Sequence, residues 1–328
     1  MTVSRILRNF PNHTPETRAK VLKIAEELNY KKNPLITALM SSRRQRKPTN
    51  FQTTIALIQC NQLGIYTTQN RAKLREGIEI GAKFQGFDVE AFQINEGGVS
   101  PERLMKVIAA RGMGCVIFEP FPRADVELEV DMSGFASLSL TGSLKSPNLN
   151  RVEIDHYSAF FLAEQNAKRK GYQRIGFVSD PLPLASHENR RRAAYLLAED
   201  GVPSKNKIPE LSLSSDPALS VSQLKKWLGK YAPDVLISSV SKAPDYLLEL
   251  GYEIPRDFGY IQLGLSENEG TTTGINPNWQ EVGITAANQV IEALVTNNLG
   301  LPLFPRRTSI QPFWVPGETL PQRFAPSL

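Results

Sequence analysis

The sequence predicts an α/β protein of parallel sheets covered by helices, carrying a small all-α head. Three observations predict it. From Thr53 onward, short apolar runs alternate with amphipathic helical segments, as expected of parallel strands buried on both faces. A length of 328 residues suits about two domains, or three. Residues 1–50 differ from the rest in charge. They hold 11 Lys/Arg and 3 Asp/Glu, net +8, whereas the other residues hold 27 basic and 30 acidic groups, net −3. A basic head on a slightly acidic body suits a polyanionic partner for the head alone.

Composition narrows the class. Hydrophobic residues at 41% and charged residues at 22% are ordinary for a globular chain. No apolar run approaches the roughly 18 residues of a membrane helix, so no membrane partner is expected. Thr2-Val3-Ser4-Arg5 follows Met1 with no apolar h-region, so no secretory signal is expected. Cys60 and Cys115 both fall in apolar, strand-like stretches, which excludes a disulfide framework and fits a reducing cytoplasm.

In the head, Val3, Ile6, Leu7 and Phe10 share one face of a short helix that Pro11-Asn12 ends. Thr14 is a candidate N-cap, Pro15 suits the first helical position, and Glu16 complements the dipole. The next helix carries Val21, Ile24, Ala25 and Leu28 on one stripe, with Arg18, Lys20 and Lys23 away from it.

In the body, strands are expected at Thr53–Gln59, Asp88–Gln93, Gly114–Phe118 and Ala136–Leu140, with helices near 70–84 and 101–110. A second series runs from Asp155: a helix to Lys170, then strands Arg174–Val178, Asp234–Ser238 and Tyr260–Leu263, with helices 187–200 and 243–250. Helix 281–297 and strand Thr308–Gln311 come last.

Catalytic motifs are missing. His13, His156 and His187 are scattered, and the chain has no nucleophile elbow, Walker loop, Cys-x-x-Cys or His-Glu-x-x-His. Gly97-Gly98 reads as a turn, and the adjacent Asp155-His156 does not form a dyad. The reading is of a non-enzyme, with no cofactor and no metal.

Thr2-Val3-Ser4-Arg5-Ile6-Leu7, Thr14-Pro15-Glu16-Thr17-Arg18, Ala25-Glu26-Glu27-Leu28-Asn29-Tyr30 and Asn33-Pro34-Leu35 resemble the lactose-repressor/galactose-repressor family of bacterial transcription regulators. The resemblance implies a partial helix-turn-helix over 1–32, whose first segment is a recognition helix for the major groove of double-stranded operator DNA. Thr2, Ser4 and Arg5 match base-reading positions, and Arg5 suits a guanine edge. Thr14, Thr17 and Tyr30 match phosphate-contacting positions. Residues 33–50 resemble the hinge helix and a basic linker. Leu39 matches the leucine that wedges between base pairs from the minor groove, or else packs as core. Arg43 and Arg44, in an unusually basic stretch, either track phosphates or form a solvated linker.

For the body the resemblance implies a two-lobed, periplasmic-binding-protein-like core of doubly wound parallel sheets. One subdomain spans 51–154 with 277–312, the other 155–276 with 313–328. A small-molecule effector is expected in the cleft, at the loops after the strands. Arg191 matches the family's effector-contacting arginine. Asp155 matches a common aspartate, or only caps a helix. Tyr66 and Gln69 are candidates from the other lobe, and Trp279 either stacks on a ligand or fills core. The family usually carries carboxylates where this chain has Ser239-Val240 and Gly264.

The implied function is a transcriptional regulator, a repressor, acting as a homodimer through helices 70–84 and 281–297. The rival is a cytoplasmic solute-binding sensor that has lost specific DNA binding. The family places a further helix ahead of the segment matching Thr2–Leu7, so residues 1–45 are expected to be poorly packed without DNA.

Overall fold

The computed structural model describes residues 14–27, 52–60, 68–94, 100–180, 185–265 and 270–323. Thr2, Ser4, Arg5, Tyr30, Leu39, Arg43, Arg44 and Tyr66 lie outside the described residues, as does the expectation of a loosely packed residues 1–45 apart from 14–27. The chain divides into two compact units, Met1–Thr49 and Asn50–Leu328.

In the first unit, α1 spans Pro15–Glu27. Thr14 precedes it, and its Oγ1 accepts from the Thr17 backbone N–H at 3.4 Å, as an N-cap does. On the expected apolar stripe Val21 and Ala25 are half-buried, whereas Ile24 is exposed.

The second unit holds two six-stranded sheets. The first is built from β1 (Gln52–Gln59), β2 (Asp88–Gln93), β3 (Met113–Phe118), β5 (Ala136–Leu140), β7 (Asn150–Ile154) and β13 (Arg307–Ile310). Its order is β13-β7-β5-β3-β1-β2, and every pairing is parallel. A two-stranded satellite pairs β4 (Val126–Glu127) with β6 (Leu144–Ser146). Helices α2 (Thr68–Phe84) and α3 (Pro101–Ala110) belong to the same lobe. Ser100 caps α3, accepting from the Arg103 N–H at 3.3 Å.

The second sheet contains β8 (Ile175–Ser179), β9 (Leu211–Ser212), β10 (Val235–Ser238), β11 (Gly259–Leu263), β12 (Gly274–Asn276) and β14 (Phe313–Val315). Its order is β14-β12-β11-β10-β8-β9. Only the β12–β14 pair is antiparallel. Its helices are α4 (His156–Arg169), α5 (Ala185–Asp200), α6 (Pro217–Tyr231) and α7 (Ala243–Glu249). In its core Phe160 meets Phe177 edge-on at 5.1 Å, and Tyr195 lies 5.6 Å from both rings.

The chain passes from the first sheet to the second after Ile154, returns after Asn276 and crosses again after Ile310. On the return, α8 (Trp279–Val295) packs against α2 and the face of the first sheet that carries Val152 and Ile154. Backbone meets backbone there. A Cβ on Gly77 would lie 2.0 Å from the Gln280 carbonyl oxygen, and one on Gly283 would lie 2.3 Å from that of Leu74. Only glycine permits this approach. The faces of α2 and α8 that meet are thus used within one chain, while Ile80, Phe84 and Val295 stay exposed.

Several elements depart from the sequence reading, among them the short strands β4, β6, β9, β12 and β14. Helix α6 was not expected, although Asp216 caps it by accepting from the Ala218 N–H at 2.9 Å and Pro217 opens it. Strand β7 was not expected either, and it is an interior strand.

Candidate functional site

Open α/β sheets bind ligands beyond the carboxyl ends of their strands. In the first sheet that edge is a polar network. Gln59 ends β1, Gln93 ends β2 and Glu119 follows β3. Gln59 Nε2 donates to Glu119 Oε1 at 2.6 Å, and Gln93 Nε2 donates to Gln59 Oε1 at 3.2 Å. Arg71, in the first turn of α2, donates from Nε to Glu119 Oε2 at 2.8 Å and from Nη2 to the Cys60 carbonyl at 3.1 Å. The Glu119 side chain is 3% exposed, and burial pushes its carboxyl above the ordinary value against the pull of Gln59 and Arg71. Gln69, the residue expected from this turn, is exposed, and Arg71 faces the rim instead.

The second sheet offers the matching edge. The Asp180 N–H donates to Ser239 Oγ at 3.0 Å, joining the ends of β8 and β10. Gln262, in β11, donates from Nε2 to the carbonyls of Ser238 at 3.2 Å and Leu263 at 2.9 Å. Gly264 follows with φ 87°, and its N–H donates to the Ile275 carbonyl at 3.1 Å. The positions where carboxylates were expected and not found, Ser239-Val240 and Gly264, are therefore rim positions, and the carboxylate shown in a rim network is that of Glu119.

The lobes are joined at Asp155 and at Arg190. Asp155 caps α4, accepting from the Ser158 N–H at 2.9 Å and Ser158 Oγ at 2.7 Å. It also accepts from Gln311 Nε2 at 3.3 Å, which ties the first crossing to the third. Arg190, on α5, donates from Nη1 to Glu153 Oε1 at 2.8 Å. Arg191, one residue on, is half-buried on the same helix. Trp279 is 9% exposed and part of the first-lobe core. Beside α5, a cavity of about 720 Å³ runs between Asp180, Arg192, Leu196 and Glu210.

In the head, Thr14 Oγ1 and Thr17 Oγ1 lie 2.8 Å apart on an exposed helix start, where backbone N–H groups favour an anion. Sequence reasoning missed Gln59, Arg71, Gln93, Glu119, Glu153 and Arg190. Among the described residues no group of three or more His, Cys, Asp or Glu is placed to hold a metal, and no helix is long and apolar enough to cross a membrane.

The family model of the bacterial regulatory proteins, lacI family, matches residues 1–33. Catabolite control protein A of Priestia megaterium is 26% identical over 208 residues, covering 62% of this chain and 59% of that protein. The chain thus matches less than two thirds of that relative's length. HTH-type transcriptional regulator AglR of Rhizobium meliloti (strain 1021) is 23% identical over 316 residues, covering 94% of this chain and 80% of its own. Among solved structures, the lac repressor dimer bound to operator and the anti-inducer ONPF shares the fold, with a TM-score of 0.58 at 17% identity over 98% of this chain and 94% of that one. Residues 1–33 thus match the lacI family model, and the chain is similar in sequence to bacterial transcription regulators and in fold to the lac repressor.

Proposed function

We propose that this chain is a sequence-specific DNA-binding transcriptional regulator, a repressor, whose hold on its operator is set by a small molecule bound between the two lobes. The observation that carries the reading is one chain holding both a head that matches the lacI family model and two sheets with polar carboxyl edges joined by three chain crossings. Thr2, Ser4 and Arg5 read bases, while Thr14, Thr17, Tyr30, Arg43 and Arg44 hold phosphates. Leu39 wedges the minor groove. The effector meets Arg191, Ser239, Gly264 and Asp155 from one side and the turn of Tyr66 and Gln69 from the other. The protein works in the cytoplasm, and its function is binding and not catalysis.

A gel shift on DNA flanking the gene, at two salt concentrations, tests this. A discrete complex that weakens steeply with salt is expected, with a slope of about −0.9 per phosphate neutralised. Effector-type ligand binding without any specific DNA complex would favour the sensor reading.

A palindromic operator calls for two heads related by a two-fold axis, so the working form is a homodimer. Ile80, Phe84 and Val295, the exposed apolar side chains of α2 and α8, are its candidate contacts, and Phe84 is 90% exposed. Sedimentation is expected to give a dimer at micromolar concentration; a monomer there overturns it.

A further inference from the structure

At the lobe boundary, three arginines, Arg151, Arg190 and Arg307, gather near one buried carboxylate, Glu153. Glu153 is 2% exposed and lies two residues after Arg151 on the same face of β7. Arg190 reaches Glu153 from the other lobe, 2.8 Å from Oε1. Arg307, on β13, is directly opposite Arg151 in the parallel register, so both side chains leave the same face. On the other flank Ser139 of β5 is opposite Arg151. Arg151 is partly held by the Leu144 carbonyl, to which Nη2 donates at 3.0 Å.

Beside these charges are polar atoms that no protein group satisfies. The hydroxyls Ser139 Oγ and Thr141 Oγ1, both possible donors, are buried without a hydrogen-bond partner, and Ser139 and Thr141 are each 1% exposed. Buried polar atoms are ordinarily paired. A row of such atoms next to an excess of positive charge is better matched to a polar ligand than to packing.

The charge balance names the ligand class. Three guanidinium groups against one carboxylate leave a net charge of +2. A phosphate monoester carries roughly −1.5 to −2 at neutral pH and presents three acceptor oxygens, which suit forked arginine donors and hydroxyls. A monocarboxylate leaves a positive charge unmatched, and a neutral sugar leaves both. We infer that this junction is a phosphate subsite and that the molecule bound between the lobes is a phosphorylated small metabolite. The inference rests on reading the space between the lobes as the effector site.

The test uses the full chain, with inorganic phosphate, glucose 6-phosphate and glucose as probes against chloride of equal ionic strength. Both phosphate-bearing probes are expected to raise the melting temperature, and glucose is not. Arg307→Gln, at an exposed position, is expected to weaken phosphate binding about tenfold, the size of one charge-assisted contact. Arg306→Gln removes the same charge from the opposite strand face and is expected to leave binding unchanged. The same preparations are tested on operator DNA. No protection by either phosphate probe, or equal losses in the two variants, overturns the inference even where operator DNA shifts. Protection lost only in Arg307→Gln, with no operator complex, upholds the subsite and overturns the regulator reading instead.

Discussion

Arg190, on a helix of the second lobe, donates to the buried carboxylate of Glu153 in the first lobe at 2.8 Å. The pair closes a bridge two residues before the crossing at Asp155, so relative movement of the lobes must stretch or release it. Such a bridge links the geometry of the cleft to the geometry of the hinge.

Removing the arginine leaves a buried carboxylate without its charge partner. Losing one member of a fully buried pair costs about 3–5 kcal/mol. The Arg190 side chain is 26% exposed, which lowers the expectation for Arg190→Met to about 1–3 kcal/mol. Urea unfolding measures it, and a cycle with Glu153→Gln isolates the coupling. A cycle with no coupling would show that the bridge does not hold the lobes.

Helices α2 and α8 are expected to tolerate no side chain at their crossing. Gly77→Ala places a Cβ against the Gln280 backbone, which has no rotamer to give way. Overpacking of this kind costs about 1–3 kcal/mol. Gly86→Ala, where nothing lies within 4 Å but φ is 76°, carries only the backbone strain of a left-handed residue. A smaller fall in the denaturation midpoint for Gly86→Ala than for Gly77→Ala is the expected order; the reverse would show that the helices can separate cheaply.

The rim carboxyl of Glu119 gives a pH signature. Burial raises its folded value above the ordinary 4.5, so the folded chain keeps this proton to higher pH than the unfolded chain does. The associated stability is complete below 4.5 and is lost as pH rises through the folded value. Glu119→Gln removes that titration. The stability of the variant relative to the parent is therefore expected to rise as pH climbs from 4.5 toward neutrality, and a flat difference in chemical denaturation would contradict it.

Sequence periodicity exposed most of the body because parallel strands buried on both faces read as continuous apolar runs, as in Thr53–Gln59 and Gly114–Phe118. Strand β7 breaks that rule: Arg151 and Glu153 alternate with Val152 and Ile154, and the charges are tolerated because Arg190 arrives from the other lobe. No local signal announces a partner 37 residues away. The rim network has the same origin. Gln59, Gln93 and Glu119 meet only because β1 lies between β2 and β3, an order that one sequence does not reveal. Helix α6 is different, since Asp216, Pro217 and the spacing of Leu224, Trp227 and Leu228 were all legible signs of it.

The second-lobe rim sets the last expectation, which concerns neutral sugars. Sites that select a hexose do so by pairing its hydroxyls with buried acceptors, and a missing partner costs discrimination. Ser239 already accepts from the Asp180 N–H, and Gly264 contributes no side chain. In the first lobe, both Glu119 oxygens are engaged, by Gln59 and Arg71. These rim groups thus offer a neutral ring few free acceptors, and at the junction the Arg151–Arg190–Arg307 group favours negative charge. Calorimetric titration with glucose, galactose and ribose is expected to show weak binding or none, and micromolar affinity for any of the three would mean that the rim networks open to receive it.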